Sequence, residues 1–332
     1  MPSERTFVTE LATGLGMCGL GDVETTLARR PSEMANLTIP EWDRLTALRT
    51  TGKYDPDFDA SFQNGLAFLE APDGLNGRRP RIIEWTGGRR APGDEVVPAD
   101  LRVDHVYFVS CKYLSKILHN PSPARLVEGL LSQAPVANLD DWYARVAPVE
   151  YQALFEACMP DFAGSGLPAR AADLLSAQRQ IVRSALRSGW PAAADVAYAS
   201  LCTAVSKATA DAWSSRLTAR NSELVLWRLL RIGATPYFIL GASRRGSIRL
   251  RIDTPWDWRE SYRLLALTVE PLVGGQPLVG WSAHYMAKSS GRSFTIGGHV
   301  EVRWSHGRFG QPPEAKVYLD SPHEAVPGYH EL

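Results

Sequence analysis

At Ala234-Thr235-Pro236 the hydrophobic period of this 332-residue chain changes, and no other feature of the sequence restricts its fold so tightly. From about 122 to 233 apolar residues recur at helical spacing, over 139–146, 149–158, 169–186, 192–207 and 210–230. After Pro236 alternation takes over, over 237–240, 247–252, 262–270, 278–287, 292–304 and 315–319, with glycine and proline turns between. Helices gathered in one block and strands in another describe an α+β chain.

The first half is mixed. Residues 7–15 and 39–50 read as helices, and Thr-Gly-Leu-Gly-Met-Cys-Gly-Leu-Gly at 13–21 reads as a loop, since it lacks the features of a phosphate loop or a dinucleotide fingerprint. Phe58, Phe62, Leu66 and Leu69 place a helix over 57–70, with acids in its first turn. Residues 81–85 form a short strand. The expected division is a helical segment at 1–56, an α/β core at 57–131, a helical region at 132–233 and a β-rich unit at 234–332. At 45% apolar and 22% charged the usage is that of a folded chain. No run of eighteen apolar residues occurs, and the N-terminus lacks a basic, then apolar, leader. Cys18, Cys111, Cys158 and Cys202 lie far apart, with no Cys-x-x-Cys. A cytoplasmic protein with reduced thiols and no membrane partner is the expectation.

The stretch from Val97 to Tyr113 is the most unusual in chemistry. Read as one strand, it puts Asp104, Val106, Phe108, Ser110 and Lys112 on one face. A lysine closing so apolar a segment needs an anionic partner. The acids upstream, Asp100 above all, supply one. Ten positions separate Asp100 from Ser110, a spacing that suits two adjacent antiparallel strands.

Pro98-Ala99-Asp100 followed by Ser110-Cys111-Lys112 resembles the core of the PD-(D/E)XK nucleases, the superfamily of many restriction endonucleases. The resemblance covers about residues 57–130. It implies a restriction-endonuclease-like mixed sheet, a Mg2+ (or Mn2+) cofactor, and DNA as partner. Asp100 then stands as the principal metal ligand and Lys112 as the catalytic lysine. The pattern departs from the family at Ser110, where a second carboxylate is usual. Glu84 and Glu70 are the candidates for the missing acid: Glu84 in the strand at 81–85, and Glu70 on the helix before the core strands, which in this family often supplies an acid; Asp104, on the assumed Lys112 face, could bind metal instead of Asp100 or beside it. Asn64 would give polar support, and the Cys111 carbonyl a further ligand. An Mg-dependent endodeoxyribonuclease of restriction or defence type is the implied activity; a homodimer is left open.

Charge is unevenly spread in a chain of zero net charge. Residues 1–174 carry 17 Lys and Arg against 24 Asp and Glu, whereas 175–235 carry 8 against 3 and 244–316 carry 11 against 6. An acidic front and a basic back fit a polyanion partner. Arg89 and Arg90 in a glycine-rich loop, the helical stripe with Arg179 and Arg183, and Arg303, His306 and Arg308 near the end are the candidate phosphate contacts. Two other readings stay open. One is a non-catalytic nucleic-acid or protein interaction factor with a disabled site, favoured by Ser110. The other is a metal-dependent enzyme built on His299, Glu301 and His306.

Overall fold

The computed structural model describes residues 3–87, 99–113, 117–130, 141–162, 166–233, 236–243 and 246–332. In chain order its helices are α1 (Glu4–Met17), α2 (Val23–Arg29), α3 (Ile39–Thr50), α4 (Asp55–Glu70), α5 (Trp142–Val146), α6 (Pro148–Cys158), α7 (Ser176–Ala185), α8 (Asp195–Ser214), α9 (Ser222–Leu229) and α10 (Pro255–Ser261). Its strands are β1 (Ile83–Trp85), β2 (Leu101–Val103), β3 (Tyr107–Tyr113), β4 (Ile117–His119), β5 (Tyr237–Ser243), β6 (Gly246–Ile252), β7 (Tyr262–Leu272), β8 (Leu278–Ala287), β9 (Ser293–Arg303), β10 (Glu314–Leu319) and β11 (Tyr329–Glu331). The class is α+β.

The chain forms two compact units that are not sequential. The first takes residues 1–116, 231–260 and 323–332, and the second 117–230 and 261–322. This division differs from the four consecutive stretches expected from periodicity. Strands β5 and β6 follow the helical block, yet they join the sheet of the first unit.

That sheet has the order β1-β2-β3-β5-β6-β11. β3 and β5 are parallel, and every other neighbouring pair is antiparallel. A parallel pair needs a long crossover, and here all of α5 to α9 lies between the two strands in sequence. One face of the sheet carries Ile83, Trp85, Leu101, Val103, Val109, Phe238 and Leu240 into a core with Phe7, Val8, Leu11 and Leu15 of α1 and Phe58, Phe62 and Phe68 of α4. Alternation along each strand sets that face. At about 25 cal/mol per Å² of buried apolar area, it is this burial that holds the helix layer on the sheet.

Two expectations are corrected here. Gly14 and Gly16 are not in a loop but inside α1. A Cβ on Gly16 would lie 2.1 Å from the Phe62 carbonyl oxygen, and one on Gly65 of α4 would lie 2.0 Å from that of Thr13. The glycines let the two helix backbones touch, which offsets their poor helix propensity. Second, 101–113 is not one strand. Asp104 and His105 turn the chain with φ of 50° and 57°, a left-handed pair of the kind that closes a tight hairpin. β2 and β3 are the antiparallel arms, with Leu101 opposite Val109.

The second unit holds an antiparallel sheet of order β4-β10-β9-β8-β7. α8 packs against β7 and β8, and α5 and α6 pack on α8. Tyr143, Tyr151, Trp304 and Phe309 form an aromatic cluster with ring centroids 4.8–6.4 Å apart. The Tyr143 hydroxyl donates to the Val302 carbonyl at 2.6 Å, which ties α5 to β9. Among the described residues no helix is long and apolar enough to cross a membrane.

Candidate active site

The hairpin register brings Asp100 opposite Ser110. The main-chain ladder ends there, with the Asp100 amide donating to the Val109 carbonyl at 2.9 Å. The Asp100 carboxylate then takes over as acceptor. Its Oδ2 receives the Cys111 amide at 2.6 Å and the Ser110 hydroxyl at 3.2 Å. Ser110 is 2% exposed, so its hydroxyl needs such a partner. Tyr237, on the neighbouring strand β5, is hydrogen-bonded to Ser110 from the other side. Ser110 therefore helps to position Asp100.

The second acid comes from α1. Glu10 is 8% exposed, and its Oε2 accepts the Trp85 indole N–H at 2.6 Å. Trp85 is held in turn edge-on to Phe7, with ring centroids 5.4 Å apart. Burial first, and the nearby Asp100 carboxylate second, push the Glu10 carboxyl up to about 8, against the indole bond and the attraction of Lys112. Lys112 extends from the same end of β3. Burial lowers its pKa, Asp100 and Glu10 oppose that, and the Arg231 guanidinium adds to it. Among the described residues its ammonium makes no ion pair within 4 Å; its attraction to the two acids acts at longer range.

Behind these groups a buried polar network fixes the strand ends. Asn64 of α4 donates to the Gly241 carbonyl at 2.8 Å and to the Tyr113 hydroxyl at 3.2 Å, and accepts Arg249 Nε at 2.8 Å. Tyr113 also bonds Thr13 of α1 at 2.9 Å. Gly241 is the register partner of Lys112, so the network anchors the backbone that carries the lysine.

The structure brings Asp100, Ser110 and Lys112 together and separates the other candidates from them. Glu84 points to the face opposite Trp85, where Arg102 Nε binds it at 2.7 Å and His105 Nδ1 lies at 3.1 Å. The Arg102 bond above all holds its carboxyl below the ordinary range. Asp104 sits in the hairpin turn, where its Oδ1 accepts the amides of Arg81 and Ile82 at 2.7 and 3.1 Å. It is therefore not on the Lys112 face. Glu70 is the exposed last residue of α4, whereas Glu10 is a buried acid on α1. Arg89 and Arg90 lie outside the described residues. Arg179 is committed internally: it binds Asp141 at 3.2 Å, with the two side chains 11% and 8% exposed, and donates to the Phe309 carbonyl at 3.1 Å.

The histidines of the second unit do not converge. His299 binds Asp320 at 2.8 Å and stacks on Tyr318, His306 lies 3.4 Å from Glu314, and Glu301 accepts Tyr318 and lies 3.0 Å from Arg303. Among the described residues no three of His, Cys, Asp and Glu gather as a metal cluster, there or elsewhere.

Glu10 and Arg231 are the members that sequence reasoning missed. Glu10 left a signal: it falls on the buried stripe of α1, three residues after Phe7 and between Val8 and Leu11, where an unpaired acid is out of place. Arg231 left none, because nothing local shows that residue 231 returns to β3.

No family model matches the chain, and neither the curated proteins nor the solved structures give a match.

The oxygen donors brought to this end of β3 are the Asp100 and Glu10 carboxylates. This fits magnesium or manganese, which prefer oxygen and keep waters as remaining ligands. The fit has a physical sign. The Asp100 carboxylate adds to the burial that raises the Glu10 carboxyl, and a bound cation would offset that repulsion. Glu84 gives a control: if the chain cuts DNA with a metal, Glu84→Gln is expected to stay within a factor of about three of wild type, as a residue off the Lys112 face should. Initial rates on plasmid DNA check this.

Proposed function

We propose that this chain is a divalent-metal-dependent nuclease that hydrolyses phosphodiester bonds in DNA. The observation that carries the reading is the gathering of Asp100, Glu10 and a desolvated Lys112 without an ion pair at one end of β3. The likeness of Pro98-Ala99-Asp100 and Ser110-Cys111-Lys112 to the PD-(D/E)XK pattern supports it, as does a helix acid upstream of the core strands. A role in restriction or defence belongs to the same proposal.

Bound at Asp100 and Glu10, the metal would neutralise phosphate charge and acidify water. The residues do the rest. Asp100 is pre-aimed by Cys111 and Ser110 and so costs little reorganisation. Lys112, its ammonium destabilised by burial and by Arg231, orients the attacking water and takes up its proton. The water oxygen bonds to phosphorus, the bond to the leaving oxygen breaks, and that oxygen takes a proton from a second water, while Lys112 later returns the proton it holds to solvent. Arg231 adds positive charge beside the phosphate.

A non-catalytic interaction factor is the second reading, and Ser110 is the feature in its favour. Supercoiled and linear DNA incubated with magnesium or manganese, beside an EDTA control, separates the two. Cutting that EDTA stops supports the nuclease. DNA binding without cutting under either metal supports the interaction factor.

A further inference from the structure

Five of the candidate phosphate-contacting side chains lie in the second unit, and they are not equivalent. Arg179, Arg303 and His306 face Asp141, Glu301 and Glu314 respectively. Arg183 and Arg308, with Arg187 beside them, face no carboxylate within 4 Å among the described residues. Arg183 and Arg187 are exposed near and just beyond the end of α7.

The local structure keeps these three together. Phe309, with φ of 56° and its ring fully buried, pins the loop after β9 into the aromatic cluster. Gly307 takes φ of 91°, and a Cβ there would sit 2.8 Å from Arg183 Cγ. A Cβ on Gly310 would sit 2.9 Å from Arg183 Cδ. The stem of Arg183 thus lies along a track that two glycines leave open. The Arg308 guanidinium donates to the Leu186 carbonyl at 2.7 Å and lies 4.8 Å from the centre of the Trp190 ring. That bond seats Arg308 beside residue 187, while Gly307 seats it beside Arg183. Arg183 also donates to the Gln180 side chain at 3.3 Å; three guanidinium groups with no carboxylate within 4 Å among the described residues fit a row of phosphates, which Arg recognises through paired N–H donors.

We infer that Arg183, Arg187 and Arg308 form a surface that holds the phosphate backbone of a nucleic acid. The choice of nucleic acid over another polyanion rests on the nuclease reading. Each phosphate neutralised on duplex DNA adds about 0.9 to the slope of log affinity against log salt. The test is fluorescence anisotropy of a short labelled duplex in EDTA, between about 50 and 200 mM salt. The proteins are wild type, Arg183→Gln/Arg187→Gln, Arg187→Glu alone and Lys207→Gln. Lys207 is exposed and paired with Asp211, so its variant serves as the control.

The double variant is expected to lose roughly two units of slope and to bind on the order of tenfold more weakly, with Lys207→Gln unchanged. Arg187→Glu, which alters no packed side chain, is expected to weaken binding in the same direction. An unchanged slope in the double variant overturns the inference, and so does wild type that does not bind. Loss of binding to phosphatidylserine vesicles with unchanged DNA binding overturns it in favour of a membrane. Because EDTA removes cleavage from the measurement, wild type that binds steeply yet never cuts sinks the nuclease reading and leaves the surface standing. Wild type that cuts while the double variant keeps its slope does the reverse.

Discussion

Asp100→Asn loses metal-dependent DNA cleavage by on the order of a thousandfold or more while keeping the melting temperature of wild type. The amide can still accept the Cys111 N–H that Asp100 accepts at 2.6 Å, so the end of the β2–β3 ladder stays closed. What disappears is the negative charge. Glu10 would then be the one carboxylate left to hold a divalent ion, and the attacking water would lose its fixed place. Lys112→Ala is expected to cost about a hundredfold to ten-thousandfold. Lys112→Arg does not restore it, because a guanidinium holds its proton too tightly to serve near neutral pH. Initial rates on plasmid DNA, with thermal unfolding of each variant, check both.

The second large effect belongs to Glu10 and appears in stability as well as activity. Its carboxyl ionises near 8 in the folded protein, against an ordinary value of 4.5. A group whose pKa is raised by folding binds more protons folded than unfolded between those two values, so stability falls as pH rises through that window. The metal-free protein should therefore lose stability from about pH 4.5 to about pH 8, and Glu10→Gln should remove that part of the slope. The amide oxygen still accepts the Trp85 indole, and the neutral side chain no longer has to ionise beside Asp100. At pH 8 and without metal, Glu10→Gln is expected to be more stable than wild type by a few kcal/mol. With manganese the order reverses, because wild type gains stability from the ion and the variant does not. Chemical unfolding at several pH values, with and without manganese, reads out both halves. A variant with the same pH slope as wild type would exclude Glu10 as the titrating group.

Local patterns in the sequence carry much of this architecture. The alternating runs at 278–287 and 315–319 correspond to β8 and β10, and 39–50 corresponds to α3, because periodicity and caps are written within a dozen residues. The spacing of Asp100 and Ser110 foretells their pairing across β2 and β3. Partnership across long separations is less legible. Nothing in 237–252 says that β5 and β6 join β3 rather than the strands that follow them, since the buried faces of both sheets show the same alternation. The turn at Asp104 was hidden because Asp and His take left-handed backbone without the usual glycine, and reading through it placed Asp104 on the wrong face. Glu70 and Glu84 drew attention as acids near the motif. Glu10, ninety residues upstream of Asp100, is the acid that the helix layer brings to it.

The most direct measurement is cleavage of plasmid DNA with magnesium or manganese by wild type, Asp100→Asn, Lys112→Ala and Glu84→Gln side by side. Cutting by wild type and Glu84→Gln, with cutting slower by about a hundredfold or more in Asp100→Asn and Lys112→Ala, is the predicted result. Cutting that survives undiminished in Asp100→Asn, or that falls equally in Glu84→Gln, would contradict a site built at the end of β3.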